Sequence, residues 1–245
     1  MPSPTDFNLS PYYDDFDEAK KFHRILFRPA FAVQARELTQ SQSILQNQVE
    51  KVSDHLFEKG AMVIPGEIGY DLNYFAVKLT SFSGTLSNYD GSVLTGGTSG
   101  VQAIVVNTTA TDGSDPDTLF VKYIKTGTNN TSVVFTDGET ITGVGADSSA
   151  VSAVVDTTAT GSAAEIQAGT YYINGFQVQV DNQTLILDKY TNTPSYRVGL
   201  TVTESFVTPS DDSTLNDNAA GSSNVNAPGA HRFKIQLTLA KLSLT

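Results

Sequence analysis

Tyr171-Tyr172-Ile173-Asn174-Gly175-Phe176-Gln177-Val178-Gln179-Val180 is the stretch that decides the fold class. Two apolar, β-rich runs flank an Asn-Gly pair, the combination that best tolerates the positive φ angles of a two-residue hairpin turn. The stretch therefore reads as a tight β-hairpin. Just downstream, Thr184–Leu187 is expected to pair next, after the Asp181-Asn182 turn. Further on, Tyr196, Val198, Leu200 and Val202 alternate with Arg197, Gly199, Thr201 and Thr203, and Phe233, Ile235, Leu237 and Leu239 alternate with Lys234, Gln236 and Thr238. Both patterns predict half-buried strands of an antiparallel sheet. Upstream, Ala61–Ile64, Tyr70–Val77 and Lys78–Phe82 read as strands broken by Pro65-Gly66 and Gly69.

Composition supports the same class. Of 245 residues, 29 are Thr and 23 are Ser, while charged residues reach only 17%. Thr suits a pleated, half-exposed surface and Gly supplies turns. With 0 Cys, the chain has no disulfide framework, thiolate nucleophile or zinc–thiolate site. The formal net charge of −11 argues against nucleic acid as a partner, since that binding neutralises phosphates with Lys and Arg. No apolar run is long enough for a membrane span. The Met-Pro-Ser-Pro start lacks the basic and apolar regions of a signal peptide, so the mature chain is expected to begin there, in the cytoplasm.

Residues 83–167 are rich in Gly, Ser and Thr and contain an internal repeat. Val105-Val106-Asn107-Thr108-Thr109-Ala110-Thr111 matches Val154-Val155-Asp156-Thr157-Thr158-Ala159-Thr160, 49 residues later. Each copy follows a Gly-rich turn and a short strand, Val101–Val106 or Ala150–Val155. Leu119–Ile124, Val133–Phe135 and Glu139–Ile141 are the strands expected between them. Two copies are too few for a solenoid. They fit a small β-barrel or sandwich inserted into an antiparallel β-domain. The expected organisation is an N-terminal arm and helix over 1–60, a discontinuous β-domain over 61–82 plus 168–245, and the insert over 83–167. The fold class is mainly β with an N-terminal α-helical arm.

Residues 36–59 predict a helix, with Gly60 placed as its C′ glycine. Leu38, Leu45 and Val52 recur every seven residues, and Gln42, Val49 and Leu56 follow each by four. This is a heptad seam with Gln42 as its polar member. It fits either a helix packed on its own domain or a self-associating bundle whose buried Gln sets register. Before it, five aromatic residues by position 22 point to an arm that docks rather than a solvated tail.

No catalytic constellation is found. His23, His55 and His231 have no helical metal-site spacing. The loop Asp112-Gly113-Ser114-Asp115-Pro116-Asp117 carries oxygens for calcium, but its spacing departs from the EF-hand series and favours a plain turn. Gly96-Gly97-Thr98-Ser99-Gly100 lacks the Lys and following helix of a phosphate loop. Asn107, Asn129 and Asn130 sit in glycan-acceptor triplets and read as turn residues. No cofactor motif is present, and the reading is of a non-enzyme.

Residues 22–66 carry a resemblance. Phe22-His23-Arg24-Ile25-Leu26-Phe27-Arg28-Pro29, Ala32-Val33-Gln34-Ala35-Arg36-Glu37-Leu38-Thr39-Gln40 and Gly60-Ala61-Met62-Val63-Ile64-Pro65-Gly66 resemble the opening of a phage structural family. It comprises unknown-function domains of tail-fibre and baseplate-associated proteins in tailed phages, cyanobacterial ones included. Gly169–Gly175, Arg197-Val198-Gly199-Leu200 and Asp217–Arg232 resemble phage tail sequence too, whereas 83–167 resembles it only as a generic β-insert. Such members are commonly longer, so a chain stopping at Leu244-Thr245 is expected to be an N-terminal attachment region. The resemblance implies a virion structural protein assembled in the host cytoplasm. It would be a homo-oligomer, with a trimer favoured, linking other tail or baseplate proteins to receptor-binding parts. By position, Phe22, Phe27, Arg28 and Arg36 are the attachment candidates, and Leu38, Leu45, Val49, Val52 and Leu56 the helix seam. Two alternatives stand: a module that binds a host receptor or carbohydrate, and a capsule-degrading fibre enzyme.

Overall fold

The structure, a computed structural model, describes residues 5–128, 131–219, 221 and 223–244. Met1–Pro4, the acceptor residues Asn129 and Asn130, Ala220, Ser222 and the final Thr245 lie outside the described residues. In chain order the elements are α1 (Ala35–Leu56), β1 (Met62–Ile64), β2 (Ile68–Phe82), β3 (Val93–Gly96), β4 (Gln102–Thr109), β5 (Thr118–Lys125), β6 (Thr140–Val144), β7 (Ala150–Ile166), β8 (Gly169–Ile173), β9 (Phe176–Val180), β10 (Gln183–Asp188), β11 (Tyr196–Val207) and β12 (Arg232–Ser243). The protein is mainly β with an N-terminal helix, and every pairing with a defined register is antiparallel.

The chain divides into two compact units. The first comprises Met1–Glu67, Ile166–Gln183 and Leu200–Thr238; the second comprises Ile68–Glu165, Thr184–Gly199 and Leu239–Thr245. Segment 83–167 thus lies almost wholly in the second unit, together with β2 and most of β10.

In the first unit, the Asn-Gly hairpin forms as its sequence dictates. Ile173 pairs with Phe176 and Tyr172 with Gln177, and Asn174 and Gly175 both take positive φ, 47° and 88°. The other neighbour of β8 is β1, giving the sheet order β1-β8-β9. Thr184–Leu187 does not pair with this hairpin, contrary to the expectation from the Asp181-Asn182 turn. That run belongs to β10, which joins β7 in a different sheet. Leu187 is thereby buried, at 2% exposure. The helix also ends earlier than expected. Phe57 is already extended and its ring lies 5.9 Å from Tyr172, while Gly60 sits in a following turn and donates its N–H to the Tyr172 carbonyl. Gly60 is therefore a turn glycine and not the C′ residue of α1.

The sheet of the second unit has the order β10-β7-β2-β5-β4-β3-β6, and β6 also pairs with β7. Its centre is buried on both sides. Val77, Leu79, Leu119 and Val121 point into one core, while Tyr74, Ala76 and Phe120 point into another with Ala163. β2 runs unbroken through Gly69, where the strand is still largely exposed, and from Val77 into Lys78, where both faces are covered, correcting the division into two strands. Val133–Phe135 is not a strand. Phe135 instead plugs the larger core, 5.3 Å edge-on from Tyr123, whose hydroxyl accepts the Phe135 N–H. Burial pushes the Tyr123 phenol up to about 12.

The repeat extends further than its most obvious match. Asp90-Gly91-Ser92-Val93-Leu94-Thr95-Gly96 recurs 47 residues later as Asp137-Gly138-Glu139-Thr140-Ile141-Thr142-Gly143. The equivalent residues Thr95 and Thr142 pair with each other, flanked by Leu94↔Gly143 and Gly96↔Ile141. A local twofold axis therefore passes between β3 and β6. Each copy continues as a hairpin, β3–β4 or β6–β7, with Val101, Ala103 and Val105 or Val151, Ala153 and Val155 facing the core. On this buried face the offset is 50, not 49. The difference is one residue in β4, where the register against β5 slips between Val105 and Asn107 and leaves Val106 exposed.

The two copies depart from symmetry at Glu139, the equivalent of Ser92. Its carboxylate is buried at 4% exposure and accepts from the Thr98 and Ser99 N–H groups (both 2.9 Å), the Ser99 hydroxyl (2.8 Å) and the Thr136 N–H (2.7 Å). The Gly-rich loop after β3 is thus a nest for an internal carboxylate, and a Cβ on Gly96 would strike Glu139 and the Ser99 hydroxyl. Desolvation pushes Glu139 up, but the donors from Ser99, Thr136 and Thr98 outweigh it and hold the carboxyl below its ordinary value. Its stabilisation is therefore present above the unfolded-state pKa and lost as pH falls through the lower folded value. Glu139→Gln turns an amide onto these donors and is expected to cost about 2–3 kcal/mol in urea unfolding at neutral pH. That difference should shrink below roughly pH 4.

Candidate interaction surface

The two faces of α1 are used differently. At its start, Glu37 accepts the Gln34 N–H at 2.9 Å, a carboxylate at the helix N-terminus. Along the side turned to its own unit only Ile44 and Ser53 are buried. The rest of that attachment is polar. Ser43 donates to Asp14 and Gln40 to Asp15, Arg36 pairs with Asp15 at 3.4 Å, and Lys51 pairs with Glu18. Gln46 donates to the Gly175 carbonyl at 2.8 Å, and the Tyr172 hydroxyl donates to Asp54 at 2.5 Å. The Tyr172 bond holds the Asp54 carboxyl below its usual range. Burial, then Asp54, pushes the Tyr172 phenol up to about 12.

The opposite side carries the heptad seam. Leu38, Leu45, Val49, Val52 and Leu56 are 55–67% exposed, and Gln42 is exposed among them. The helix of 22 residues is about 33 Å long, and the mainly apolar stripe from Leu38 to Leu56 takes up about 27 Å of it. The positions that flank such a seam are Thr39, Gln46 and Ser53 on one side and Ser41, Gln48 and His55 on the other. None is a carboxylate, Lys or Arg. Of the four glutamines of α1, Gln40 and Gln46 hold the helix to its own unit, and Gln42 and Gln48 remain exposed.

The N-terminal segment is split in the same manner. Phe7 lies 5.0 Å from Phe233 and 5.8 Å from Phe206, both edge-on, and Tyr12 lies 5.0 Å from Phe206. The Tyr12 hydroxyl and His231 Nδ1 are 2.7 Å apart, and Phe176 joins the cluster through Phe233 at 5.8 Å. The first aromatics of the arm thus dock on their own chain. The loop 21–34 differs. Phe22, Leu26, Phe27, Phe31 and Val33 are each more than half exposed. Of the attachment candidates, Phe22 and Phe27 stand on this loop, Arg28 covers the Phe31 ring at 4.0 Å, and Arg36 is tied to Asp15.

Between the N-terminal segment, α1 and the β8–β9 turn lies a groove of about 610 Å³. Among the described residues, Asp6, Asp14, Asp15, Asp17 and Glu50 line it with one cation, Lys20. Phe7, Phe16 and Phe176 contribute aromatic walls. Asn174, 5% exposed, also lines it. Its amide nitrogen donates to Glu204 at 3.1 Å, but its Oδ1 is buried without a partner among the described residues. No signal in the sequence marks this groove, since its walls come from three separated segments.

The acidic loop is a turn. Asp112 Oδ1 accepts the Ser114 and Asp115 N–H groups, and Lys189 Nζ lies 2.7 Å from Asp112 Oδ2 and 3.4 Å from Asp115 Oδ2. An internal ammonium thus stands where a bound cation would. The Lys189 bond, followed by those from Asp115 and Ser114, holds the Asp112 carboxyl well below the usual range. Among the described residues, no group of three or more His, Asp or Glu side chains is placed to hold a metal, and no helix is long and apolar enough to cross a membrane.

These features define an antiparallel β-protein whose N-terminal helix presents an apolar seam outward. The chain belongs to the family described as domain of unknown function DUF4815, whose model matches residues 10–117 and 117–243. No curated protein and no solved structure matches it.

Phe233 is the hub of the aromatic cluster that holds residues 7–12. Phe233→Ala should lower stability by roughly 2 kcal/mol, less than for a fully buried ring because Phe233 is half-buried. Limited proteolysis should then cut the N-terminal segment at low protease concentrations that leave the wild type intact.

Proposed function

We propose that this chain is a non-enzymatic structural protein of a tailed-phage virion. In this role it is the attachment region of a baseplate- or tail-fibre-associated assembly and self-associates through α1. The resemblance of residues 22–66 to phage tail proteins supports the setting. The observation that carries the reading is the exposed heptad seam, Leu38, Leu45, Val49, Val52 and Leu56, on a helix already held by its polar side. Leaving such a stripe in water forfeits the burial of five large side chains, each worth about 1.5–3 kcal/mol when fully buried. Parallel copies packed along the seam bury it without juxtaposing like charges, because the flanking positions are uncharged. A buried Gln42 in each copy then pins the register, and three copies are the favoured number. The β-units supply a stiff outer body with no dependence on redox state.

Light scattering tests the assembly. The wild type should run as a multiple of 26.2 kDa, and Leu45→Lys with Val52→Lys should return it to the monomer mass with its β circular-dichroism signal intact. A monomeric wild type sinks the self-association reading. Purified virions should contain the chain, and antibodies against it should label the tail; labelling confined to the head overturns the placement.

A further inference from the structure

We infer that loop 21–34 of one copy seats in the acidic groove of a neighbouring copy, so that assembly through α1 is completed by an exchanged loop. This inference rests on the self-association proposed above. Charge complementarity carries it first. From Lys21 to Gln34 the loop has Lys21, Arg24 and Arg28 and no acid, whereas the described lining of the groove has five carboxylates against Lys20, with Asp15 also paired to Arg36. In a chain with a net charge of −11, this loop is the longest stretch of α1 and its approach that is purely basic. Opposite charges so arranged favour encounter and select orientation.

A second observation points to the same occupant. Asn174 Oδ1 is a buried acceptor without a partner among the described residues, in a residue that lines the groove. A buried acceptor without a partner is unfavourable, and an N–H donor entering the groove beside it supplies one. A guanidinium supplies several donors in one plane and stacks on aromatic rings, and the groove offers Phe7, Phe16 and Phe176 as walls. Arg24 and Arg28 fit this demand, with Leu26 and Phe27 between them as apolar companions. Lys20 at the rim does not replace them, because a flexible ammonium has no planar fork to span acceptor and ring.

The loop does not satisfy its own groove. The segment before it is tied to α1 by Glu18–Lys51 and Asp15–Arg36, the loop then runs directly into α1 at Ala35, and Arg24 and Arg28 are both exposed. The groove positions on α1, Ser43, Gln46, Asn47 and Glu50, lie about a third of a turn round the helix from the seam. A copy packed on the seam therefore stands beside the groove and not over it, leaving it open to that copy's loop.

The absence of cysteine makes the test clean. Phe27→Cys and Asn47→Cys are made in separate full-length chains, one carrying a tag, mixed and mildly oxidised. The expected product is a disulfide-linked pair of one tagged and one untagged chain. Its yield should fall about tenfold when Arg24→Glu and Arg28→Glu are added, with the circular-dichroism spectrum unchanged. A further chain carries both Phe27→Cys and Asn47→Cys; if it closes only on itself, the loop folds back and the exchange is overturned. Self-association by light scattering without the mixed disulfide overturns the exchange and leaves the seam standing. A monomer with no cross-link overturns both.

Discussion

The hydrogen bonds from Ser43 to Asp14, from Gln46 to the Gly175 carbonyl and from Tyr172 to Asp54 decide which way α1 faces. An amphipathic helix ordinarily turns its apolar stripe to its own core. Here the polar side is committed inward, and only Ile44 and Ser53 are buried. The hairpin turn is part of the same constraint, because the left-handed Asn174-Gly175 pair presents the Gly175 carbonyl to Gln46. A Cβ on Gly175 would come within 3.0 Å of Glu50. The turn that joins β8 to β9 is thus also the seat of the helix, and the exposed seam follows from it.

The second unit shows how a duplicated sequence becomes one folded body. Thr95 and Thr142 pair across the local twofold axis, and the two Asp-Gly turns make matching bonds. Gly91 donates to the Val105 carbonyl and Val105 to Ser92; Gly138 donates to the Val155 carbonyl and Val155 to Glu139. Because equivalent strands pair with each other, neither copy is left with an open edge at the axis. Gly143 is required there, since a Cβ would meet the Val93 carbonyl and come within 2.9 Å of Leu94. The copies diverge where one accepts a carboxylate, Glu139, into the other's loop.

Much of the strand content was legible because burial leaves a period of two wherever one face is wet. Both β11 and β12 show it, with Tyr196, Val198 and Leu200 half-buried against exposed Arg197, Gly199 and Thr201. Where both faces are buried the period vanishes, so the continuous strand β2 read as two. Val133–Phe135 resembled a strand in composition but serves as a plug, and a single ring entering a core leaves no periodic trace. The repeat was visible as an offset of 49, yet the bulge at Val106 makes the core face repeat at 50.

Taken alone, the sequence determined the antiparallel β class, the Asn-Gly hairpin, the heptad spacing of α1 and the absence of cysteine chemistry. These depend on local backbone preference and short-range pattern, which neighbouring residues suffice to set. Tertiary structure alone decided that the seam points outward, that β10 leaves the hairpin to join β7, and that five carboxylates and an unpaired Asn174 acceptor share one groove. A heptad specifies a stripe but not the surface that covers it. That choice belongs to hydrogen bonds between residues more than a hundred positions apart, such as Gln46 to Gly175 and Tyr172 to Asp54.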